Sequence, residues 1–165
     1  MNNKIRTLSE LKEILRREKE NGKIIVTTNG SFDLMHSAHV ALLEKAKKEG
    51  DILIVLLNSD ASIKRNKGEK RPIIPQEERA KMLAGLASVD YIIIFEEDKP
   101  LRVLEEIKPN KHVKGGTFLV GRINEERDLI SNWGGEFKHF ELESGFSTTE
   151  IIETILQRYG NSSLL

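Results

Sequence analysis

The sequence contains no cysteine and no long apolar run. Without cysteine, disulfides, zinc–thiolate sites and cysteine nucleophiles are excluded, and nothing points to an oxidising compartment. No apolar stretch approaches the ~20 residues that a membrane-spanning helix needs. The first residues, MNNKIRTLSE, lack the apolar core of a signal peptide. We therefore expect a cytoplasmic protein that has no membrane partner.

The chain also lacks an excess of either charge, because 26 basic residues balance 26 acidic ones. A net charge of zero provides no global attraction to nucleic acid, so we expect no nucleic-acid partner and only local binding of anions. The 165 residues are 38% hydrophobic and 32% charged. These values are typical of a globular domain with a charged surface.

Three well-known catalytic and phosphate-binding motifs are missing from the sequence. It has no G-x-x-x-x-G-K-[ST] loop, no G-x-G-x-x-G fingerprint and no G-x-S-x-G nucleophile elbow. Any phosphate must therefore be bound by another arrangement.

What the sequence does contain is an alternation of buried strands and amphipathic helices. The strand candidates are KIIVTT, DILIVLLN, VDYIIIF, HVKGG and EFKHFEL. One helix precedes them and one helix follows each, which predicts a Rossmann-like three-layer α/β/α fold around a five-stranded parallel sheet. We expect an N-terminal helix (1–22), one domain (23–159) and a tail (160–165). The polar, basic segment from Ser59 to Pro75 predicts a mobile loop.

In such sheets, ligands bind beyond the carboxyl ends of the strands. The first strand is followed there by TNGSFDLMHSAH, in which a glycine turn leads into a helix. His36 and His39 are three residues apart, so both rings can face one cavity and donate to phosphate oxygens. A structural turn is one alternative. A zinc site is another, but it requires a third ligand. We expect Asp33 to brace the turn.

Three further strand ends carry candidate binding residues. Basic residues follow the second strand, and they form either a loop that closes over phosphates or solvated surface. The fourth strand ends in a lysine and two glycines, which form either a ligand-facing edge or a simple turn. After the fifth strand, three hydroxyl residues form either a phosphate cradle or an ordinary helix cap. The residues concerned are Lys64, Lys67 and Arg71, then Lys114, Gly115 and Gly116, and finally Ser147, Thr148 and Thr149.

These motifs together resemble the cytidylyltransferase-like nucleotidyltransferases. The resemblance rests on T-N-G-x-F-D-x-x-H-x-x-H and the later G-[FY]-S-T-T-x-I-I, with NSDASIKRNKG, RPIIPQEERAKML and VKGG in the expected order between them. Within that superfamily, the sequence is most similar to the D-glycero-β-D-manno-heptose 1-phosphate adenylyltransferases. Glycerol-3-phosphate cytidylyltransferases usually have an arginine where this chain has Leu142.

The resemblance implies that an adenylyl group passes from ATP to a sugar 1-phosphate with release of pyrophosphate. It implies Mg²⁺ as the cofactor and a homodimer. It assigns catalysis to His36, His39 and Lys67. The residues that it implies for nucleotide binding are Thr28, Asn29, Gly30, Ser31, Phe32, Lys64, Arg71, Lys114, Gly115, Gly116, Ser147, Thr148 and Thr149.

The sequence departs from the family pattern at two positions. Ala38 replaces the glycine of H-x-G-H and adds a Cβ beside the expected phosphate site, and Thr117 replaces the aspartate of K-G-G-D-Y. Two alternative functions therefore stay open. One is a cytidylyltransferase acting on an alcohol phosphate such as glycerol 3-phosphate, and the other is a non-catalytic nucleotide-binding module.

Overall fold

A computed structural model of the chain describes residues 3–116, 120–141 and 147–160. Five parallel strands form one sheet in the order β3-β2-β1-β4-β5. The strands are β1 (Ile25–Gly30), β2 (Ile52–Asn58), β3 (Tyr91–Phe95), β4 (Lys111–Gly115) and β5 (Glu136–Phe140).

Seven helices connect and cover these strands in the described part of the chain. They are α1 (Leu8–Glu20), α2 (Ser37–Lys47), α3 (Asp60–Lys67), α4 (Gln76–Ala84), α5 (Leu101–Ile107), α6 (Val120–Ser131) and α7 (Thr148–Tyr159). None of the helices within those ranges has the length and apolar character that crossing a membrane demands.

The sheet forms because its central strands are apolar on both faces. In β2, six consecutive residues from Ile52 to Leu57 are buried. Alternate side chains of these strands belong to two separate cores, because successive side chains of a strand point to opposite faces of the sheet. One core packs β1 and β2 against α2 and α4, and the other packs them against α1, α5 and α6. The predicted three-layer α/β/α fold with a five-stranded parallel sheet is confirmed.

The basic segment after β2 is not the mobile loop that the sequence led us to expect. Residues 60–67 form α3, whose N-cap is Ser59, with the Ser59 side chain accepting from the Ser62 N–H. Asp60 lies in the first turn and Lys64 and Lys67 lie in the last. This distribution complements the helix dipole, so the same charges that indicated a solvated loop stabilise a helix. Two helices, α3 and α4, therefore separate β2 from β3.

The N-terminal helix covers one face of the sheet. Thr7 and Glu10 form a capping box at its start. Leu11 and Leu15 are buried in the core shared with α5 and α6. The backbone of Arg6 also donates to the Ile92 carbonyl of the edge strand β3.

The strand order places a crevice beside β1. Strand β1 pairs with β2 on one side and with β4 on the other, and the chain that leaves it enters α2. The connections therefore diverge at β1, and the crevice beyond its carboxyl end is where ligands bind in open parallel sheets. Asn29 and Gly30 end the strand at this crevice.

Candidate active site

A cavity of about 380 Å³ occupies the crevice at the carboxyl ends of β1, β2 and β4. One part of its wall comes from the loop after β1 and from α2, and another part comes from β4, α6 and the loop after β3. Its lining residues are Asn29, Gly30, Ser31, Phe32, His39, Leu42, Asn58, Ile63, Asn66, Lys67, Asp98, Lys99, Pro100, Lys114, Gly115, Ile123 and Glu126.

The loop after β1 is held in a strained conformation. Phe32 and Leu34 both have φ of +46°, in the left-handed region that residues with a Cβ rarely adopt. Such strain persists only where the surroundings fix it, and it concentrates at ligand sites. Gly30 permits the turn, because a Cβ there would lie 3.0 Å from the Phe32 ring. The predicted binding residues Gly30, Ser31 and Phe32 all line the cavity.

Two further predicted residues lie on β1 itself. Asn29 reaches the cavity, and its side-chain oxygen accepts a hydrogen bond from Lys114 at 2.5 Å. Thr28 has no exposed surface, and its hydroxyl has no hydrogen-bond partner within the described residues.

His36 and His39 lie together at the start of α2, with ring centroids 4.0 Å apart. The backbone N–H of His36 donates to Nδ1 of His39 at 3.4 Å. A neutral ring whose Nδ1 accepts has its proton on Nε2, so His39 retains one N–H donor for a ligand. Nδ1 of His36 is buried and has no partner among the described residues. The pair therefore has hydrogen-bonding capacity that the protein itself leaves unused.

Both rings are neutral in the free protein at neutral pH. Burial, together with the nearby His36 and Lys67, lowers the pKa of His39 to about 4. Burial also lowers the pKa of His36, against the opposing effect of Glu150. A phosphate would reverse these conditions, because an adjacent anion favours the protonated ring.

Asp33 braces the loop, as predicted. Its carboxylate has no exposed surface and accepts from the backbone N–H groups of Ile73 and Ile74 and from Nε of Arg71 at 2.7 Å. Burial acts to raise the pKa of Asp33, but these hydrogen bonds outweigh it and hold the pKa below its usual value. The ionised carboxylate thereby ties the loop after β1 to residues 71–74.

The N-terminus of α7 lies beside the same loop. Thr148 donates from its hydroxyl to the Asp33 carbonyl at 2.6 Å, and Glu150 is close enough to act on the pKa of His36. Ser147 caps the helix by accepting from the Glu150 N–H, while the Thr149 side chain is exposed. Capping thus occupies one of the three predicted hydroxyl residues. The free N–H groups of the first turn add an anion-binding element next to the histidines.

The predicted basic residues occupy three different environments. Lys67 lines the cavity and donates to the Ser31 hydroxyl at 2.9 Å. Arg71 is largely buried, and its Nε is paired with Asp33, while one terminal nitrogen of the guanidinium has no hydrogen-bond partner among the described residues. Lys64 is exposed on α3 and is not among the described residues that line the cavity.

The end of β4 forms a second part of the wall. Lys114 and Gly115 line the cavity, and Gly116 follows with a φ of +106°. Gly115 also allows α2 to approach, because a Cβ at this position would lie 2.6 Å from Cδ1 of Leu42. Gly115 therefore has a packing role in addition to its place in the cavity wall.

Glu126 is a site residue that no sequence motif predicts; it is 5% exposed and lines the cavity from α6. Its carboxylate lies 3.1 Å from Nζ of Lys114 and 3.4 Å from Nε2 of His112. Nδ1 of His112 in turn contacts the Thr27 hydroxyl at 2.7 Å. This buried chain from β1 through β4 to α6 could not be found from sequence spacing, because only the fold brings its members together.

Arg79 was also missed, although it is fully buried beneath the site. Its guanidinium donates to the carbonyls of Ser31 and Asn58 and to the carboxylate of Asp60. It therefore joins the ends of β1 and β2 from α4. An arginine followed by apolar residues in a helix reads as surface, so the pattern contained no signal for this role.

The structure describes one of the two positions at which the sequence departs from the family pattern. Ala38 is nine-tenths buried in the first turn of α2 and is not among the described residues that line the cavity. Thr117 and Leu142 lie outside the described residues. Within the described ranges, no group of three or more metal-ligating side chains occurs, so a zinc site built on the two histidines has no third ligand there.

Comparison with known proteins points in the same direction as the geometry. The family model described as cytidylyltransferase-like matches residues 27–154. The bifunctional protein HldE of Geobacter metallireducens is 48% identical over 161 residues, which cover 95% of this chain. HldE of Geobacter sulfurreducens is 47% identical over 157 residues, again 95% of the chain. In each case the chain spans 32% of the length of the relative.

Two solved structures share the fold. A lipopolysaccharide core biosynthesis protein from Thermoplasma volcanium is 29% identical with a TM-score of 0.61, and the match covers 76% of this chain and all of that one. A pantoate-β-alanine ligase from Francisella tularensis, solved with an ATP analogue and β-alanine, is 17% identical with a TM-score of 0.65. That match covers 98% of this chain and 82% of the other, and it shows the fold alone.

Proposed function

Because the chain belongs to the cytidylyltransferase-like family, we propose that it is a nucleotidyltransferase that uses ATP and a sugar 1-phosphate, with heptose 1-phosphate as the acceptor. The observation that carries the proposal is the neutral histidine pair beside the strained loop after β1, next to the N-terminus of α7. These three features gather donors for several phosphate oxygens at one cavity. The predicted family resemblance is confirmed at the level of the family.

In the proposed reaction, an oxygen of the acceptor phosphate attacks the α-phosphorus of ATP. The new oxygen–phosphorus bond forms as the bond to the β-phosphate bridging oxygen breaks, and pyrophosphate leaves with that electron pair. The attacking oxygen is already anionic, so the protein needs no nucleophile of its own. Its contribution is to position the reactants and to neutralise the charge that develops.

The site residues divide this work between them. Backbone groups of Gly30 and Ser31 adjoin the α-phosphate, and His36 and His39 donate to its oxygens and to the leaving pyrophosphate. Lys67 adds a positive charge from α3, where it already contacts Ser31. The first turn of α7, with Ser147 and Thr149, receives the terminal phosphates.

Two features of the comparisons support the acceptor assignment. The chain matches HldE proteins over nearly its whole length, and it shares its fold with a protein of lipopolysaccharide core biosynthesis. The cavity agrees with a sugar phosphate, because its wall offers ammonium groups such as that of Lys99 to the phosphate, and the Asn66 amide and Asp98 carboxylate to sugar hydroxyls.

Mg²⁺ fits the proposal as an ion that enters with the nucleotide. The described residues offer no cluster of carboxylates for it, and Mg²⁺ commonly keeps several waters while binding substrate phosphates. When bound, it supplies charge neutralisation for the triphosphate. We further propose a cytoplasmic location, and a homodimer as the family resemblance implies.

The experiment is a pyrophosphate-release assay on a panel of substrate pairs. ATP and CTP are each combined with heptose 1-phosphate, glycerol 3-phosphate and phosphopantetheine. We expect turnover with ATP and heptose 1-phosphate. His39→Asn should lower kcat by about 10²- to 10³-fold, the effect typical of losing one donor to a developing oxyanion.

The outcomes separate the competing functions. Preferred turnover of CTP with glycerol 3-phosphate would replace the proposal with the cytidylyltransferase alternative. Nucleotide binding without turnover on any pair would favour a binding module. Asp128→Asn is the matched control, since Asp128 is exposed on the far part of α6 and lines no part of the cavity.

A further inference from the structure

The family resemblance implies Lys114 for nucleotide binding, but the proposed chemistry gives no step to Lys114 and no role to its buried partner Glu126. Lys114 is 8% exposed at the end of β4, and Glu126 is 5% exposed on α6. Both carboxylate oxygens are close to the ammonium, at 3.2 and 3.1 Å. Burying an ion pair is costly unless its geometry is good, so a buried pair at a ligand cavity calls for an explanation.

The ammonium is fixed from two sides. Glu126 approaches it from α6, and the side-chain oxygen of Asn29 accepts from it at 2.5 Å on β1. A lysine has a flexible four-carbon stem, and these contacts restrict it to one place. That place lies between β1 and β4, beside Asn29, which directly precedes Gly30 and the strained loop.

Glu126 is itself supported by a chain of buried groups. His112 lies 3.4 Å from its second oxygen, and the Thr27 hydroxyl contacts the other nitrogen of that ring. Burial lowers the pKa of His112. The His112 ring therefore confines the carboxylate by packing behind it, since Nε2 of His112 and the facing oxygen of Glu126 have no hydrogen-bond partner within the described residues.

We propose that Glu126 is a positioning residue that holds Lys114 charged and fixed, so that its ammonium receives a phosphoryl oxygen of a substrate. The inference rests on the proposed function and extends it to a residue that acts only through another. The oxygen comes from the acceptor phosphate or from the α-phosphate of the nucleotide, and the kinetic arms below distinguish the two.

Electrostatics agree with this geometry. Burial alone lowers the pKa of Lys114, and Glu126 opposes that effect. Other titratable neighbours in the described part of the chain include His112 on the same strand and His139, which occupies the register position of Lys114 on β5. The contacts on β1 come from uncharged side chains. Removing the negative charge of Glu126 therefore removes an effect that opposes burial, and the pKa of Lys114 should fall.

The test is a double-mutant cycle with Glu126→Gln and Lys114→Gln. Each single variant should lower kcat/KM by roughly 10- to 100-fold, the span expected for losing a hydrogen bond to a charged group. Glu126→Gln should have no further effect in the Lys114→Gln background, because its action passes through Lys114. A rise in KM for the sugar phosphate identifies the acceptor as the source of the oxygen, and a rise in KM for ATP identifies the nucleotide.

A pH profile provides a readout that a merely structural role would not move. In Glu126→Gln, the alkaline limb of kcat/KM should shift to lower pH, and Glu126→Asp should restore part of the wild-type profile. Asp128→Asn, on the same helix, should match wild type. An equal loss from Glu126→Gln in both backgrounds, or wild-type kinetics in that variant, would overturn the inference.

Failure of the proposed function is recognised separately. If wild type releases no pyrophosphate on any pair, calorimetric binding of ATP and of inorganic phosphate to wild type, Lys114→Gln and Glu126→Gln replaces the kinetics. Weakened binding of either probe in both variants supports the positioning role. Unchanged binding of both probes contradicts it. Should Glu126→Gln not fold, Glu126→Asp is compared with wild type in the same assays.

Discussion

At the scale of single residues, the histidine pair depends on being neutral before the ligand arrives. Two protonated rings with centroids 4.0 Å apart would repel each other, and His39 also lies near Lys67. The neutral state lets the pair coexist in the cavity. It also means that an entering anion can raise the pKa of each ring and favour its protonated form.

This argument predicts how His39 titrates. In the free protein, its ring should remain neutral down to about pH 4, well below the ordinary value near 6.5. As pH falls below 6.5, the unfolded chain takes up a proton that the folded ring does not, so this group lowers stability toward acid. Bound ATP should raise the pKa of the ring, because the triphosphate favours the imidazolium.

Proton NMR of the ring resonances across pH 8 to 4 measures this directly, with the signal assigned from the spectrum of His39→Gln. A ring that titrates near pH 6.5 in the free protein would contradict the prediction. A pKa unchanged by saturating ATP would show that the triphosphate does not reach His39.

The same scale shows what sequence could and could not reveal. His36 and His39 were found because their spacing and their place after a strand are local properties. Glu126 was not, because its meaning arises from a contact with Lys114 twelve residues away on another element. An acidic residue among Glu125, Arg127 and Asp128 reads as one more charge on an exposed helix.

At the scale of elements, α3 is the helix that the sequence did not predict. Its basic residues are typical of a solvated loop, although Ser59 and Asp60 are residues that favour a helix N-terminus. The strands were predictable because long β-branched runs admit few other structures. The position of Lys67 could be known only from the structure, because α3 places its side chain in contact with Ser31 across the cavity.

The connection between the loop after β1 and residues 71–74 yields an element-scale prediction. Asp33→Asn should lower the free energy of unfolding by about 3–5 kcal/mol, the cost typical of breaking a buried ion pair by removing one partner. The asparagine amide group would also face the N–H donors of Ile73 and Ile74. Urea denaturation at pH 7 measures the change.

The pH dependence has a definite sign. Because the folded-state pKa of Asp33 is lowered from 3.8, its contribution is present above about pH 4 and is lost as pH falls through the folded value. The difference between wild type and Asp33→Asn should therefore shrink under acid conditions. Glu20→Gln, which removes an exposed partner of Arg16, should stay within about 1 kcal/mol of wild type. Equal stability of Asp33→Asn and wild type at pH 7 would refute the brace.

At the scale of the whole molecule, the site joins regions of unequal stability. Strands β1 and β2 lie in the middle of the sheet, between two apolar cores. Helix α7, by contrast, has no fully buried residue, and Ile155, Leu156 and Tyr159 are exposed along it. Its described attachment near the site includes the hydrogen bond from Thr148 to the Asp33 carbonyl. Regions with little buried apolar contact open more readily than cores do.

This difference predicts where bound nucleotide stabilises the molecule. In hydrogen exchange, the amides of α7 should exchange rapidly in the free protein and slow by up to about 100-fold with ATP at 100 times its Kd, if opening of α7 releases the ligand. The amides of β2 should change little, because their protection already comes from the cores. Helix α1 is the internal control, since none of its residues lines the cavity. Protection confined to α2, with α7 unchanged, would show that the terminal phosphates lie away from Ser147 and would remove α7 from the proposed cradle.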